Sequence, residues 1–297
     1  PCVDKPRVLC HDTGQIDRIL LRRKLRKGMA VFVDEKINTP APAWPVRAQH
    51  HIGRMINALG RVMKYGAYTR RTYLVRPEQK LLYLSISKAA CSSIKASILS
   101  LDRQENYQRL HGAVAREGDQ LYDAPLKDYP DYFKFTFVRN PFDRLVSCYE
   151  NKYHTDRALL GKELKHLYFD YYLMGYLRKD RGFAEFARRV RRIPDKWADK
   201  HLISQFSRVR DKDGKQYLDF IGRFENLAVD YEPIRAKYNL APLTVYNKTG
   251  KGNWMDYYDE KTARLVYERY RQDIEAFGYE DSYQALLAHI RQKEGAR

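Results

Sequence analysis

Apolar and polar positions along this chain fall into two rhythms. Leu81-Leu-Tyr-Leu-Ser-Ile86 is a near-continuous apolar run of strand length. It is followed by the small, polar stretch Ser87–Ala90 and a helix opening at Cys91–Ser93 that runs to about Arg103. That pattern predicts a buried strand, a tight turn and a helix. Phe133, Phe135 and Phe137 alternate as strand residues do, after which Asn140 is suited to cap a helix and Pro141 to be its first residue. Phe142, Leu145, Val146 and Tyr149 supply the buried face of that helix. Asp219–Leu227 reads as a third strand entering a helix near Glu225–Leu227.

Helical spacing also marks Ile52, Met55, Ile56, Leu59, Val62 and Met63, the Tyr-rich stretch Leu159–Leu177, and Phe183, Phe186, Ala187 and Val190. Asp259 caps a last helix bearing Ala263, Val266, Tyr267, Tyr270, Ile274 and Phe277, which Gly278 stops. Strands alternating with helices predict an α/β fold, a P-loop-like, mainly parallel sheet flanked by helices. Upstream, residues 15–27 form a basic amphipathic helix, Met29–Val33 a short strand, and Asn38–Pro45 a Pro-rich linker. The expected organisation is an N-terminal helical extension over residues 1–75 and a main domain over 76–297.

Composition narrows the classes. A chain of 297 residues, 44% hydrophobic, can bury a sizeable core. A formal net charge of +18 attracts phosphates, acidic glycans, nucleic acid or anionic lipid, without choosing among them. The four cysteines, Cys2, Cys10, Cys91 and Cys148, form no CxxC pair, and the histidines lack zinc-ligand spacing, so no metal site is indicated. No apolar run is long enough for a spanning helix, and no signal-peptide core opens the chain. The expected setting is therefore cytoplasmic, with a peripheral contact to anionic membrane open to residues 15–27. A Golgi lumen is the alternative if the chain is part of a longer one.

Candidate chemistry collects at the two strand–helix units. Lys88 stands in the first turn, where the free N–H groups and the positive dipole end of the following helix favour an anion. Arg139 ends the second strand and Ser147 lies two turns down its helix. Ligands of open α/β sheets bind outside the carboxyl ends of strands, so a cation or hydroxyl from each unit reads as a nucleotide-phosphate arrangement. Taken singly, Lys88 is also a surface lysine, Arg139 a salt-bridge residue and Ser147 a helix-surface serine. The loop Asn247–Trp254 brings Lys248 and Lys251 to close over a phosphate. No G-x-x-x-x-G-K-[ST] occurs, which counts against a P-loop kinase. A basic nucleic-acid-binding protein remains a second alternative, although the aromatics follow core periodicities and no recognition signature appears.

At these residues the chain resembles the carbohydrate sulfotransferases, the group that includes the chondroitin and HNK-1-epitope enzymes and bacterial relatives. Ser87-Lys-Ala-Ala-Cys-Ser-Ser-Ile-Lys95 is similar to their 5′-phosphosulfate loop, P-K-x-A-C-T/S-x-W-K, with Ser87 in place of Pro and Ile94 in place of Trp. Phe135 through Ser147, followed by Asn151-Lys-Tyr153, is similar to their 3′-phosphate motif. Gly222–Leu227 and Tyr257–Tyr279 resemble two later blocks, so that the likeness covers roughly residues 80–280. The resemblance implies the sulfotransferase fold and the donor 3′-phosphoadenosine 5′-phosphosulfate, with no metal. It implies that Lys88 offsets charge on the leaving oxygen and that Lys88, Ala89, Ala90, Cys91, Ser92 and Ser93 hold the 5′-phosphate. Arg139 and Ser147 take the 3′-phosphate, and Lys248 and Lys251 cover the nucleotide. The acceptor is a hydroxyl of a glycan, an acidic polysaccharide or glycolipid given the charge. A sugar hydroxyl calls for a general base, for which His111 is the first candidate and His201 the second. Glu225 is a candidate for orienting the acceptor or nucleotide.

Overall fold

The computed structural model describes residues 44–101, 119–123, 126–153, 172–177, 182–211, 213–243 and 252–295. The expected helix at 15–27, strand at 29–33, most of the Pro-rich linker and most of the helix at 159–177 lie outside them, as do His111, Lys248 and Lys251. Residues 47–297 form one compact unit.

Five strands make one sheet: β1 (Thr72–Arg76), β2 (Leu81–Leu84), β3 (Asp119–Tyr122), β4 (Phe133–Val138) and β5 (Phe220–Arg223). Their order is β3-β1-β2-β4-β5. β4 runs parallel to β2 on one side and to β5 on the other. β1 is antiparallel to both β2 and β3. The fold is thus α/β with a mixed sheet. Its parallel half carries both strand–helix units expected from the pattern, and β1 and β3 add an antiparallel flank that the pattern did not single out.

The helices are α1 (Trp44–Tyr65), α2 (Cys91–Ile98), α3 (Pro141–Cys148), α4 (Phe183–Arg191), α5 (Leu227–Lys237), α6 (Glu260–Phe277) and α7 (Glu280–Gly295). α1 opens at Trp44, so Pro45 stands in its first turn, where a missing N–H costs little. Its apolar stripe is turned outward at Ile52, Met55, Ile56, Leu59 and Met63, while Ala58 and Val62 are buried. α2 stops at Ile98, a turn short of the expected end.

Both faces of the parallel half are covered, which is why its strands are apolar on both sides. On one face Leu81, Tyr83, Phe135 and Phe137 meet Ile94 and Ile98 of α2 and Tyr231 and Ile234 of α5. On the other, Leu82, Leu84 and Val138 meet Phe142 and Leu145 of α3, Phe186 and Val190 of α4, and Val266, Tyr270 and Ile274 of α6. The carboxyl ends of β2 and β4, side by side in the sheet, therefore open onto one edge with α2 and α3 starting from it.

Candidate active site

Between β2 and α2 the chain makes a tight loop in which Lys88 and Ala90 hold φ of 70° and 57°. Left-handed backbone costs a side-chain-bearing residue about 1–2 kcal/mol, so surrounding contacts must hold the loop. Two arginines of the second unit do so. Arg144 Nε donates to the Ser87 carbonyl at 3.0 Å, and Arg139 Nη1 donates to the Lys88 carbonyl at 3.0 Å. Ala89 is buried beneath the loop. α2 follows with no side-chain cap at Ala90. Its first-turn N–H groups have no intrahelical partner, and the dipole there favours negative charge. Cys91 and Ser92 are half-buried and Ser93 is buried.

The second unit is fixed by its own cap. The Asn140 side chain accepts from the Phe142 amide at 3.0 Å, Pro141 opens α3, and Ser147 lies buried two turns on. Arg139 is 8% exposed. Its Nε and Nη2 donate to Asp143 at 2.9 and 2.8 Å, and its guanidinium lies 4.2 Å from the centre of the Phe224 ring. Its backbone is paired on both sides by the amide of Gln205, which accepts from the Arg139 N–H at 2.9 Å and donates to its carbonyl at 2.8 Å. Asn140 is tied in turn to Glu225, whose Oε1 accepts from the Asn140 amide at 2.7 Å while Oε2 accepts from the Tyr279 hydroxyl at 2.9 Å. Glu225, expected to orient a ligand, thus has both oxygens engaged in joining the β4–α3 turn to the end of α6.

A third segment, Asp195–Phe206, packs against these two. Buried Asp273 of α6 holds it by accepting from the Gln205 and Phe206 amides at 2.9 and 2.8 Å and from Ser204 Oγ at 2.9 Å. Burial pushes the Asp273 carboxyl up, and those hydrogen bonds and the Arg144 charge oppose the shift. Arg144, 2% exposed, spans the segment and the first loop. Beyond Ser87 it donates to the Ile203 carbonyl at 3.0 Å and the Lys200 carbonyl at 3.5 Å. Next to Lys200, His201 is buried beside Asp199, with Nδ1 2.6 Å from Asp199 Oδ1. On α2, burial draws the Lys95 ammonium below the ordinary lysine range; the nearby Lys200 charge acts in the same direction and Cys91 opposes it.

The structure thus brings Lys88, Ala89–Ser93 and Arg139 to one sheet edge, with Ser147 buried two turns down α3 and His201 in the adjoining segment. Arg144, Asp199, Gln205 and Asp273 are the residues sequence reasoning missed. Only Asp199 offered a signal, the spacing Asp-x-His. Among the described residues no group of three or more His, Cys, Asp or Glu is placed to hold a metal ion, and no helix is long and apolar enough to cross a membrane.

A model of the sulfotransferase family matches residues 71–280, a span that contains both units, the Asp195–Phe206 segment and all of α6. Among curated relatives, carbohydrate sulfotransferase 14 of Mus musculus is 25% identical over 244 residues, covering 77% of this chain and 59% of that protein. Carbohydrate sulfotransferase 14 of Homo sapiens is 27% identical over 178 residues, 55% of this chain and 46% of that protein. Carbohydrate sulfotransferase 10 of Xenopus laevis is 28% identical over 174 residues, 50% of this chain and 48% of that protein. The chain therefore spans between about half and three fifths of the length of these relatives. No solved structure gives a significant match. Since one family model runs through every strand of the sheet and both strand–helix turns, the chain belongs to the sulfotransferase family.

Proposed function

We propose that this protein transfers the sulfuryl group of 3′-phosphoadenosine 5′-phosphosulfate to a hydroxyl of a glycan, an acidic one. The observation that carries the reading is the bond from Arg139 Nη1 to the Lys88 carbonyl at 3.0 Å, which joins the two phosphate-facing turns at one edge. A donor with phosphates at both ends of one ribose matches two anion sites held that close. The α2 N-terminus with Ser92 and Ser93 takes the 5′-phosphate, and Ser147 with the outer N–H groups of Arg139 takes the 3′-phosphate.

The chemistry parallels phosphoryl transfer, in which positioning and electrostatic stabilisation dominate. As the acceptor oxygen bonds to sulfur, the bond from sulfur to the 5′-phosphate oxygen breaks and leaves its electron pair on that oxygen. Lys88 offsets this charge. The net charge of +18 supports an acidic acceptor, since a positive field raises the local concentration of anionic chains. The relatives' printed names support a carbohydrate as its class.

Thermal melting with 3′-phosphoadenosine 5′-phosphate and with ATP tests the donor. Saturation at a hundredfold excess over Kd stabilises by about 2.7 kcal/mol, and ATP, lacking a 3′-phosphate, should shift melting far less. Equal shifts would sink the two-phosphate reading. Labelled sulfate transfer across glycans with and without uronic acid then tests the acceptor.

A further inference from the structure

We propose that His201 is the general base of this transfer and that Asp199 is the residue that positions it, an inference that rests on the sulfotransferase reading above. His201 and Asp199 are 7% and 4% exposed. Asp199 Oδ1 accepts from the His201 amide at 2.9 Å and from Nδ1 at 2.6 Å, so one carboxylate oxygen fixes both the backbone and the ring. A buried carboxylate on Nδ1 sets the tautomer, gives proton transfer to Nε2, and stabilises the imidazolium formed when a proton is taken. Asp199 is held in turn. Its amide donates to the Tyr172 hydroxyl at 3.0 Å, and that hydroxyl donates to the Trp197 carbonyl at 2.5 Å.

What aims the dyad at the transfer site is Arg144. One planar guanidinium bonds the Ser87 carbonyl, just before Lys88, and the Lys200 carbonyl, just before His201. The two backbones therefore stand no further apart than a guanidinium and two hydrogen bonds of 3.0 and 3.5 Å. The Ile203 carbonyl, also bonded to Arg144, fixes the far side of the same turn. The backbone just before Lys88 and the backbone just before His201 are thus held in one frame on either side of Arg144.

In the step itself, Nε2 removes the proton of the acceptor hydroxyl as its oxygen forms the new bond to sulfur. The bond from sulfur to the 5′-phosphate oxygen breaks with its electron pair remaining on that oxygen, beside Lys88. The imidazolium, paired with Asp199, then gives its proton to water.

The test uses the full chain with His201→Ala, Asp199→Asn, Asp199→Glu and His111→Ala. It measures 3′-phosphoadenosine 5′-phosphate affinity together with steady-state transfer to a glycan acceptor. His201→Ala should bind the nucleotide within about twofold of the parent while kcat falls by roughly 10²–10⁴-fold, the usual share of general-base catalysis. Added imidazole should restore part of that turnover. Asp199→Asn should lower kcat with KM and nucleotide affinity held, and Asp199→Glu should recover more of it than Asn. A His201→Ala enzyme that turns over like the parent, or one that loses nucleotide binding in step with kcat, overturns the assignment, as does loss of turnover on His111→Ala alone. If Asp199→Asn does not fold, the imidazole rescue of His201→Ala still decides the base, and an Asp199→Glu enzyme that turns over no better than His201→Ala, like a folded Asp199→Asn enzyme with the parent's kcat, removes Asp199 from the positioning role. Failure of the parent chain to bind the nucleotide refutes the donor reading instead, so the two failures are distinguishable.

Discussion

Gly222 lies in β5 opposite Phe137 of β4, and a Cβ added there would stand 2.3 Å from ring atom Cε1 and 2.8 Å from both Cδ1 and Cζ. Ordinary carbon contacts are about 3.5–4.0 Å, so Gly222→Ala demands a shift of about an ångström. The ring has little room to retreat. Phe137 is fully buried, with Phe135, Phe220 and Tyr231 around it at centroid distances of 6.3, 6.1 and 6.0 Å. Overpacking of this kind costs about 1–3 kcal/mol. At roughly 2–4 °C per kcal/mol for a domain of this size, melting should fall by about 2–12 °C. The strain also reaches the site, because the next pair along the ladder is Val138 with Arg223, and beyond it come Arg139 and the Phe224 ring under its guanidinium. Melting and nucleotide titration of Gly222→Ala, Phe137→Leu and the double variant separate the causes. The leucine vacates the space the new methyl needs, so the double should be more stable than the sum of the singles. A Gly222→Ala protein that melts with the parent, or costs that add within about 0.5 kcal/mol, would refute the collision.

Two further substitutions probe the electrostatics of the edge. Asp273→Asn replaces an all-acceptor group by one that presents an NH₂ to the Gln205 and Phe206 amides or Ser204 Oγ, so a buried donor is left unmatched. A loss of about 1–3 kcal/mol is expected by denaturant melting, with weakened nucleotide binding as the Gln205 hold on Arg139 loosens. Lys95→Met removes an ammonium whose folded pKa lies below its unfolded one. Between those two values the unfolded chain binds more protons, so the parent gains stability as pH rises through that window. The Met variant should lack that slope, melt no lower than the parent near neutral pH, and bind nucleotide more weakly; an unchanged slope would show that the Lys95 charge is not strained.

The parts of the fold legible in the sequence are those decided within a few residues. Phe133, Phe135 and Phe137 alternate because β4 is covered on both faces, and Asn140 and Pro141 start α3 where the pattern puts them. Asp259, accepting from the Thr262 amide at 2.6 Å, and Gly278, at φ 65°, bound α6 as expected. Where partners are remote the signal disappears. β3 is the polar tetrapeptide Asp119-Gln-Leu-Tyr122, a strand only because β1 offers it a ladder. Glu225 reads as a ligand-facing carboxylate at a helix start because nothing local announces Tyr279, 54 residues away. Arg144 carries no signal in the sequence, since its partners are backbone carbonyls 56 to 59 residues away, and a carbonyl leaves no mark on a sequence.

The two arginines of one motif illustrate why charge alone misleads at this edge. Arg144 gives its donors to carbonyls and so organises backbone. Arg139 divides its fork between Asp143, the Lys88 carbonyl and whatever anion arrives. An anion drawing on Arg139 therefore acts on the same backbone that carries Lys88, and one filling the α2 N-terminus acts on the carbonyl that Arg139 holds. On the proposed donor reading, the 3′ and 5′ sites are one mechanical unit. Discrimination between a bis-phosphorylated nucleotide and ATP then need not come from extra contacts to the ribose. It follows from engaging both ends of a coupled pair, where a ligand with a single matching phosphate must leave a left-handed loop, costing about 1–2 kcal/mol per residue, supported from one side only.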